Sequence, residues 1–270
     1  MDAQLALLCV LTFVINLIGA LAYAVRIAGV RTRRIAMSFA LFNVLVLVSR
    51  ASNTFQGPSL SKRIENSLIE AGGGSHLLSD FRWLLMSASV AALVGTLAIP
   101  TFQRLFTGAV AHFQINRSIP KLLLHAFAKG GISYIRDAAT LPSPEHVRGL
   151  ARPAGIPLQV IALNVAAQAL LSVGVFAALY AGYLDPQYRV TSANLSSAIN
   201  GVATILLFVF IDPHLSIMTD DVMDGRTTEA SFRRAVVWFA ASRVAGTLLA
   251  QTLLVPAASG VAQLARIWPG

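Results

Sequence analysis

Charge is scarce in this chain. Only 12% of its 270 residues are Asp, Glu, Lys or Arg, against about a quarter in soluble domains. A surface so poor in charge argues against a fold built for water. Cysteine is nearly absent too. Cys9 stands alone, so no intrachain disulfide can form, and the residue says little about redox compartment. The histidines His76, His112, His125, His146 and His214 are scattered without metal-ligand spacing. There is no P-loop, nucleophile elbow or zinc motif, and no cofactor is expected.

What the chain has instead is apolar residues in long runs. They make up 56% of the sequence, and the mean hydropathy is +0.67. Crossing hydrocarbon takes about 20 residues of helix. The runs predict an all-α membrane protein with six transmembrane helices. Its spans are Leu5–Val25, 35–55, Trp83–Ile99, Ile156–Tyr183, Leu195–Ile211 and Val236–Val255. The second run is broken by Arg50 but is read as continuing toward Gly57-Pro58. The first is expected to be a retained span rather than a cleaved leader, since no basic stretch precedes it and Arg31, Arg33 and Arg34 follow it like a stop-transfer cluster. The loop Ser52–Phe81 contains Gly72-Gly73-Gly74 and is expected to be mobile. The segment 100–155 alternates apolar and basic residues. It is expected to form amphipathic cytoplasmic helices on the membrane surface, with a re-entrant segment as the alternative.

Positive charge exceeds negative by nine, for a pI near 10.6. The basic residues flank apolar runs rather than forming one patch, so the expected partners are bilayer lipids and not nucleic acid. The loops after spans 1, 3 and 5 hold fourteen Lys and Arg, and the opposite side holds six. This bias predicts both termini outside and the fourteen-charge side in the cytoplasm.

Polar residues inside spans are costly and tend to face the bundle interior. In span 1, Thr12, Asn16, Gly19, Tyr23 and Arg26 recur at spacings of four and three, one helix face. Asn43 and Arg50 share a face of span 2. Span 4 has Asn164, Gln168 and Ser172, span 5 has Ser197, Asn200 and Thr204, and span 6 has Arg243, Thr247 and Gln251. Hydrogen-bonded glue between helices is one reading; a polar cavity is the other. The arginines favour the cavity. Arg243 lies roughly 10 Å into span 6, and Arg50 roughly 23 Å into span 2, at 1.5 Å per residue. No acid within the spans is placed to pair with Arg243, and an unpaired guanidinium suits an anion such as phosphate.

The stretch Asp220-Asp221-Val222-Met223-Asp224-Gly225 admits three readings: a Mg²⁺ site against a diphosphate, a solvated loop, or salt bridges to Arg233 and Arg234. It resembles the opening of the CDP-alcohol phosphotransferase motif. But Thr228-Glu229 stand where that motif has Ala-Arg, and its later paired aspartates are missing.

Several stretches together resemble the Amj family of lipid II flippases. They are Ala22-Tyr23-Ala24-Val25-Arg26-Ile27-Ala28-Gly29-Val30-Arg31-Thr32, Leu47-Val48-Ser49-Arg50-Ala51-Ser52-Asn53 and Ile99-Pro100-Thr101-Phe102. Later come Ala178-Leu179-Tyr180-Ala181-Gly182-Tyr183-Leu184, Ile199-Asn200-Gly201-Val202-Ala203-Thr204-Ile205, Asp212-Pro213 and Thr219-Asp220-Asp221. The last is Ser242-Arg243-Val244-Ala245-Gly246-Thr247-Leu248-Leu249-Ala250-Gln251. The resemblance implies a six-span bacterial inner-membrane protein that is a transporter, not an enzyme. Its partner would be lipid II, the undecaprenyl-diphosphate-linked peptidoglycan precursor, moved from the cytoplasmic to the outer leaflet. One departure lies in span 1. Where the family pattern has a His and a Glu before the Ala-Tyr pair, this chain has Asn16 and Gly19. If that acid couples transport to protons or pairs an arginine in relatives, this chain does without it.

The resemblance and the arginines meet in one expectation. Arg26, Arg243 and Arg50 would be stations for the diphosphate, in that order from inner to outer leaflet. Asn16, Asn43, Asn200 and Gln251 would line the path for sugar and peptide, with Asp220 and Asp221 as cation-binding or gating groups. Two alternatives stay open: a Mg-dependent membrane enzyme acting on a polyprenyl or phospholipid phosphate, and a lipid-binding scaffold.

Overall fold

In a computed structural model of the protein, residues 2–69, 74–116, 136, 138–140 and 155–269 are described. The chain is all-α over these residues. Helix α1 (Ala3–Thr32) is followed by α2 (Ile35–Ile69), α3 (Gly74–Leu97), α4 (Ile99–Asn116) and α5 (Leu158–Leu184). Then come α6 (Arg189–Leu206), α7 (Asp212–Met223) and α8 (Glu229–Ile267). A 3₁₀ turn (Pro186–Tyr188) leads into α6, and a π-turn (Leu207–Ile211) joins α6 to α7. Among the described residues, six helical stretches are long and apolar enough to cross a membrane; α6, the π-turn and α7 together make one of them. The protein is a multi-pass membrane protein.

Local chemistry sets the helix ends. The Asp2 carboxylate caps α1 by accepting from the Leu5 N–H at 2.7 Å. At the other end Arg33 adopts a left-handed conformation (φ 52°), uncommon for a side chain other than glycine or asparagine. There the N–H groups of Arg33 and Arg34 return to the carbonyls of Val30 and Gly29. The tight turn makes α1 and α2 an antiparallel pair. Gly29 helps, because a Cβ there would stand 3.1 Å from the Ile35 Cα.

Helices α2 and α3 run far beyond their predicted spans and take up most of the expected mobile loop; only residues 70–73 of it lie outside the described set. Ionic ties account for the extension. Arg63, on the added turns of α2, pairs with Asp2 at 2.8 Å and with Asp80 of α3 at 2.7 Å. Of the segment 100–155, residues up to Asn116 form α4 and a few near 138 are described; the remaining expected amphipathic helices fall outside the described residues.

Helix α3 shows how the bundle sorts its faces. Leu77, Phe81, Leu84, Leu85, Ala88, Ala91 and Ala92 are buried, while Trp83, Met86, Val90, Leu93 and Leu97 are exposed. Both sets recur at helical spacing, and the exposed set is as apolar as the buried one. Such a surface suits lipid and not water. Inside, two of the three apolar clusters among the described residues stack along the bundle. One gathers Leu8, Phe81, Phe176, Tyr180 and Leu254. The other gathers Tyr23, Ile27, Leu215, Phe232 and Phe239. On α1, α5 and α8 a polar layer separates them.

Candidate functional site

The polar layer depends on how closely α5 and α8 approach. Ser242, Gly246 and Ala250 recur every four residues along α8, and all are buried. This small-residue stripe lets two backbones meet in a membrane. A Cβ at Gly246 would stand 2.6 Å from the Val165 carbonyl oxygen and 2.7 Å from the Gln168 Cβ, so only glycine fits. The contact brings the α5 amides onto α8. Asn164 Nδ2 donates to Ser242 Oγ at 2.6 Å and to the Phe239 carbonyl at 3.2 Å. Gln168 Nε2 lies 3.5 Å from Asn164 Oδ1, and Gln168 Oε1 accepts from Arg243 Nη1 at 2.8 Å.

Arg243 is therefore held by a neutral amide. Among the described residues it has no carboxylate partner, and its Nε is shielded without a hydrogen bond. Its guanidinium lies against Gly19 of α1, where a Cβ would be 2.5 Å from Nη2. Gly19 is 16 residues from Ala3 and 13 from Thr32, about 24 and 20 Å from the two ends of α1. Along its own helix Arg243 is 14 residues from Glu229, about 21 Å from the start of α8, and its guanidinium is level with Gly19, about halfway along α1.

Arg26 lies seven residues further along the same face of α1, toward the Thr32 end. It donates to Asp212 at 3.0 Å, and its Cζ sits over the Phe39 ring, 5.4 Å from the centroid. Beside it opens a cavity of about 120 Å³, lined by Arg26, Ile35, Phe39, Ser216, Thr219 and Asp220. Tyr23, buried between the two arginines, is within electrostatic reach of both and of Asp212. The π-turn delivers Asp212. Pro213 has no N–H and its ring crowds the preceding turn, and the Asp212 N–H reaches back five residues to the Leu207 carbonyl, a widening often found at functional positions.

The other predicted residues are dispersed. Asn43 and Arg50 are exposed, off the face of α2 that buries Ser38, Phe42, Ser52, Gln56 and Leu60. Arg50 is 15 residues from Ile35, about 23 Å. It therefore lies at nearly the depth of Arg243, on a different surface. Asn16 donates to the Thr12 carbonyl of its own helix at 3.0 Å. Gln251 donates to the Arg82 carbonyl at 3.0 Å, tying α8 to α3. Among the described residues the Asn200 Oδ1 is buried without a partner, pressed toward Gly174. Asp220 joins the Arg26 cavity. Asp221 does not; it pairs at 3.3 Å with Arg226, which also takes Asp224 at 2.6 Å. Arg226 thus pairs with two of the three carboxylates of the acidic stretch, and among the described residues neither Arg233 nor Arg234 pairs with it. Among the described residues no three His, Cys, Asp or Glu side chains group to hold a metal ion.

Sequence reasoning missed two partners. Asp212 falls one residue past the end of the predicted fifth span, although Pro213 after an apolar run is a visible sign of a helix irregularity. Gln168 was visible as a stripe residue, but nothing in the sequence said that it faces Arg243 across two helices.

Comparison with known proteins bears on this arrangement. The Amj family, described as "Alternate to MurJ", matches residues 11–265. A curated relative, the lipid II flippase Amj of Bacillus subtilis (strain 168), is 36% identical over 256 residues, covering 93% of each chain. No solved structure matches the chain significantly.

Proposed function

The chain belongs to the Amj family, and from that premise we propose that it is a lipid II flippase of the bacterial inner membrane. It would carry the undecaprenyl-diphosphate-linked precursor from the cytoplasmic to the outer leaflet without changing it chemically. The loop-charge bias orients the chain with both termini outside, so that Arg26 and its cavity face the cytoplasmic leaflet.

The observation that carries the reading is Arg243, a guanidinium at mid-depth with no acid partner among the described residues. Moving an ion into hydrocarbon costs tens of kcal/mol in the idealised Born limit. An arginine already held there supplies opposite charge and a planar fork matched to phosphate. It lowers the barrier where the bilayer raises it most. Arg26 serves as the inner station. Its half-exposed partner Asp212 is a counter-ion that a diphosphate can replace. Asp220, on the rim of the same cavity, is the gating group; Asp221, bound to Arg226, is not.

Asn16, Asn200 and Gln251 line the route for sugar and peptide. Arg50 and Asn43, at the α2 surface, meet the head group where it leaves the bundle, while the polyprenyl tail stays in lipid. The order along the path therefore rests on two depths, Arg26 and then Arg243 and Arg50 together.

Liposomes containing the purified protein and labelled lipid II test this. The wild type should move intact lipid between leaflets, and R243A should fold yet fail to do so. Transfer by R243A at the wild-type rate, or conversion of the lipid to a product, would overturn the proposal.

A further inference from the structure

Gln168 sits where the mid-depth arginine is aimed and, among the described residues, left without a carboxylate partner. We infer that Gln168 is the positioning residue of the Arg243 site, and that the neutrality of its amide is what keeps the Arg243 charge available to a diphosphate. The inference rests on the flippase reading above.

The direction of the hydrogen-bond relay fixes which end of the amide faces the arginine. The Ser242 hydroxyl donates to the Phe239 carbonyl at 2.8 Å, so its oxygen is left to accept. Asn164 must then turn its Nδ2 toward Ser242, at 2.6 Å, which points its Oδ1 at Gln168. Gln168 completes the series by directing Nε2 at that oxygen and offering Oε1 to Arg243 Nη1 at 2.8 Å. Each amide has separate donor and acceptor ends, and here both are oriented by a backbone carbonyl at the far end of the relay. Asn164 and Gln168 are buried at 0% and 4% exposure, so water does not compete for these bonds. The contact at Gly246 holds the Gln168 Cβ in place.

The guanidinium is bounded on two sides, by Gln168 and by the Gly19 backbone. Its Nε is shielded and unbonded. A carboxylate at position 168 would bind it as well or better, but would also cancel its charge. Arg26 shows the contrast within the same chain, since its partner is Asp212. The inner arginine carries an anion that must be exchanged. The mid-depth arginine is offered an acceptor too weak to rival a diphosphate.

Three variants compared in proteoliposomes with labelled lipid II, with melting curves in detergent, test the idea. Q168E keeps the shape and should fold with an unchanged or raised Tm, yet bind and move lipid II about tenfold or more worse, because the new ion pair competes with the substrate. Q168M removes the acceptor but leaves the charge. It should hold KM within about threefold and cut kcat, since a misaimed group loses rate more than affinity. R243A is the reference and should lose transport.

Transport by Q168E at the wild-type rate, with R243A inactive, would overturn the inference and leave the flippase reading intact. Unimpaired R243A would overturn that reading itself. Should Q168E not reach the membrane, Q168M decides alone: a raised KM with unchanged kcat, or a fall in rate that disappears once it is normalised to the amount of folded protein, overturns the inference.

Discussion

Replacing Gly19 by alanine perturbs the mid-depth arginine while leaving the helix contacts alone. The added Cβ would lie 2.5 Å from Arg243 Nη2, 3.1 Å from Cζ and 3.4 Å from Nη1. Non-bonded heavy atoms settle at about 3.5–4.0 Å, so the guanidinium must retreat by about 1 Å. It is the free end of a long side chain, and no backbone need move. The retreat strains the 2.8 Å bond to Gln168, and a hydrogen bond to a charged group contributes about 1.5–3 kcal/mol. Against this, alanine in place of glycine inside a helix stabilises by about 0.5–1 kcal/mol. The net loss of stability is then no more than about 2.5 kcal/mol. Function should suffer more, because a misplacement of about 1 Å can cost about a hundredfold in rate. Thermal unfolding in detergent should show a shift of a few degrees. Lipid II transfer in liposomes should fall by about tenfold or more. A G19A protein that melts normally and transports at the wild-type rate would refute the view that the guanidinium must sit in this slot.

Gly246→Ala should act in the opposite sense. Its Cβ would meet the Val165 carbonyl and the Ala169 N–H nitrogen, backbone atoms that cannot step aside. A loss of about 1–3 kcal/mol should appear as a lower melting temperature and less folded protein. Asp212→Asn removes the counter-ion of Arg26; lipid II should bind more tightly at the inner cavity and leave more slowly, seen as lower KM with lower turnover, and a rise in both would count against counter-ion exchange. The Asp2 carboxyl is held below its ordinary value of 3.8 by the Leu5 N–H and then by Arg63. A depressed folded value gives stabilisation that is complete above the unfolded pKa and is lost as pH falls through the folded one. The protection factor of the Leu5 N–H, the exchange rate corrected for its intrinsic pH dependence, should therefore fall on acidification below about 4, and Asp2→Asn should abolish that step.

Much of the architecture was legible because the bilayer imposes it. Apolar runs must be helices, since lipid offers no partner for a bare backbone, and each predicted span overlaps an observed one, two of them overhanging it by two residues. The ends were not legible. Arg63, Asp2 and Asp80 extend α2 and α3 past the apolar stretches, and such pairing across helices leaves no trace in local composition. The stripe on α1 was readable from its spacing, and it is that face which carries Gly19, Tyr23 and Arg26 to the site. Arg50 and Asn43 share a face too, but periodicity cannot tell a face turned to the bundle from one turned outward.

The sequence by itself determined that this protein lives in a membrane, that its family is Amj and that Arg243 lies within an apolar run that holds no acid. Those follow from composition, order and spacing, which are properties of the chain. Only the tertiary structure decided what each arginine faces. Gln168 reaches Arg243 because Gly246 lets two helices close to backbone contact, and Asp212 reaches Arg26 across 186 residues because a π-turn carries it there. Whether a buried charge is cancelled or kept available depends on atoms a few ångströms away, and those distances are set by packing between helices.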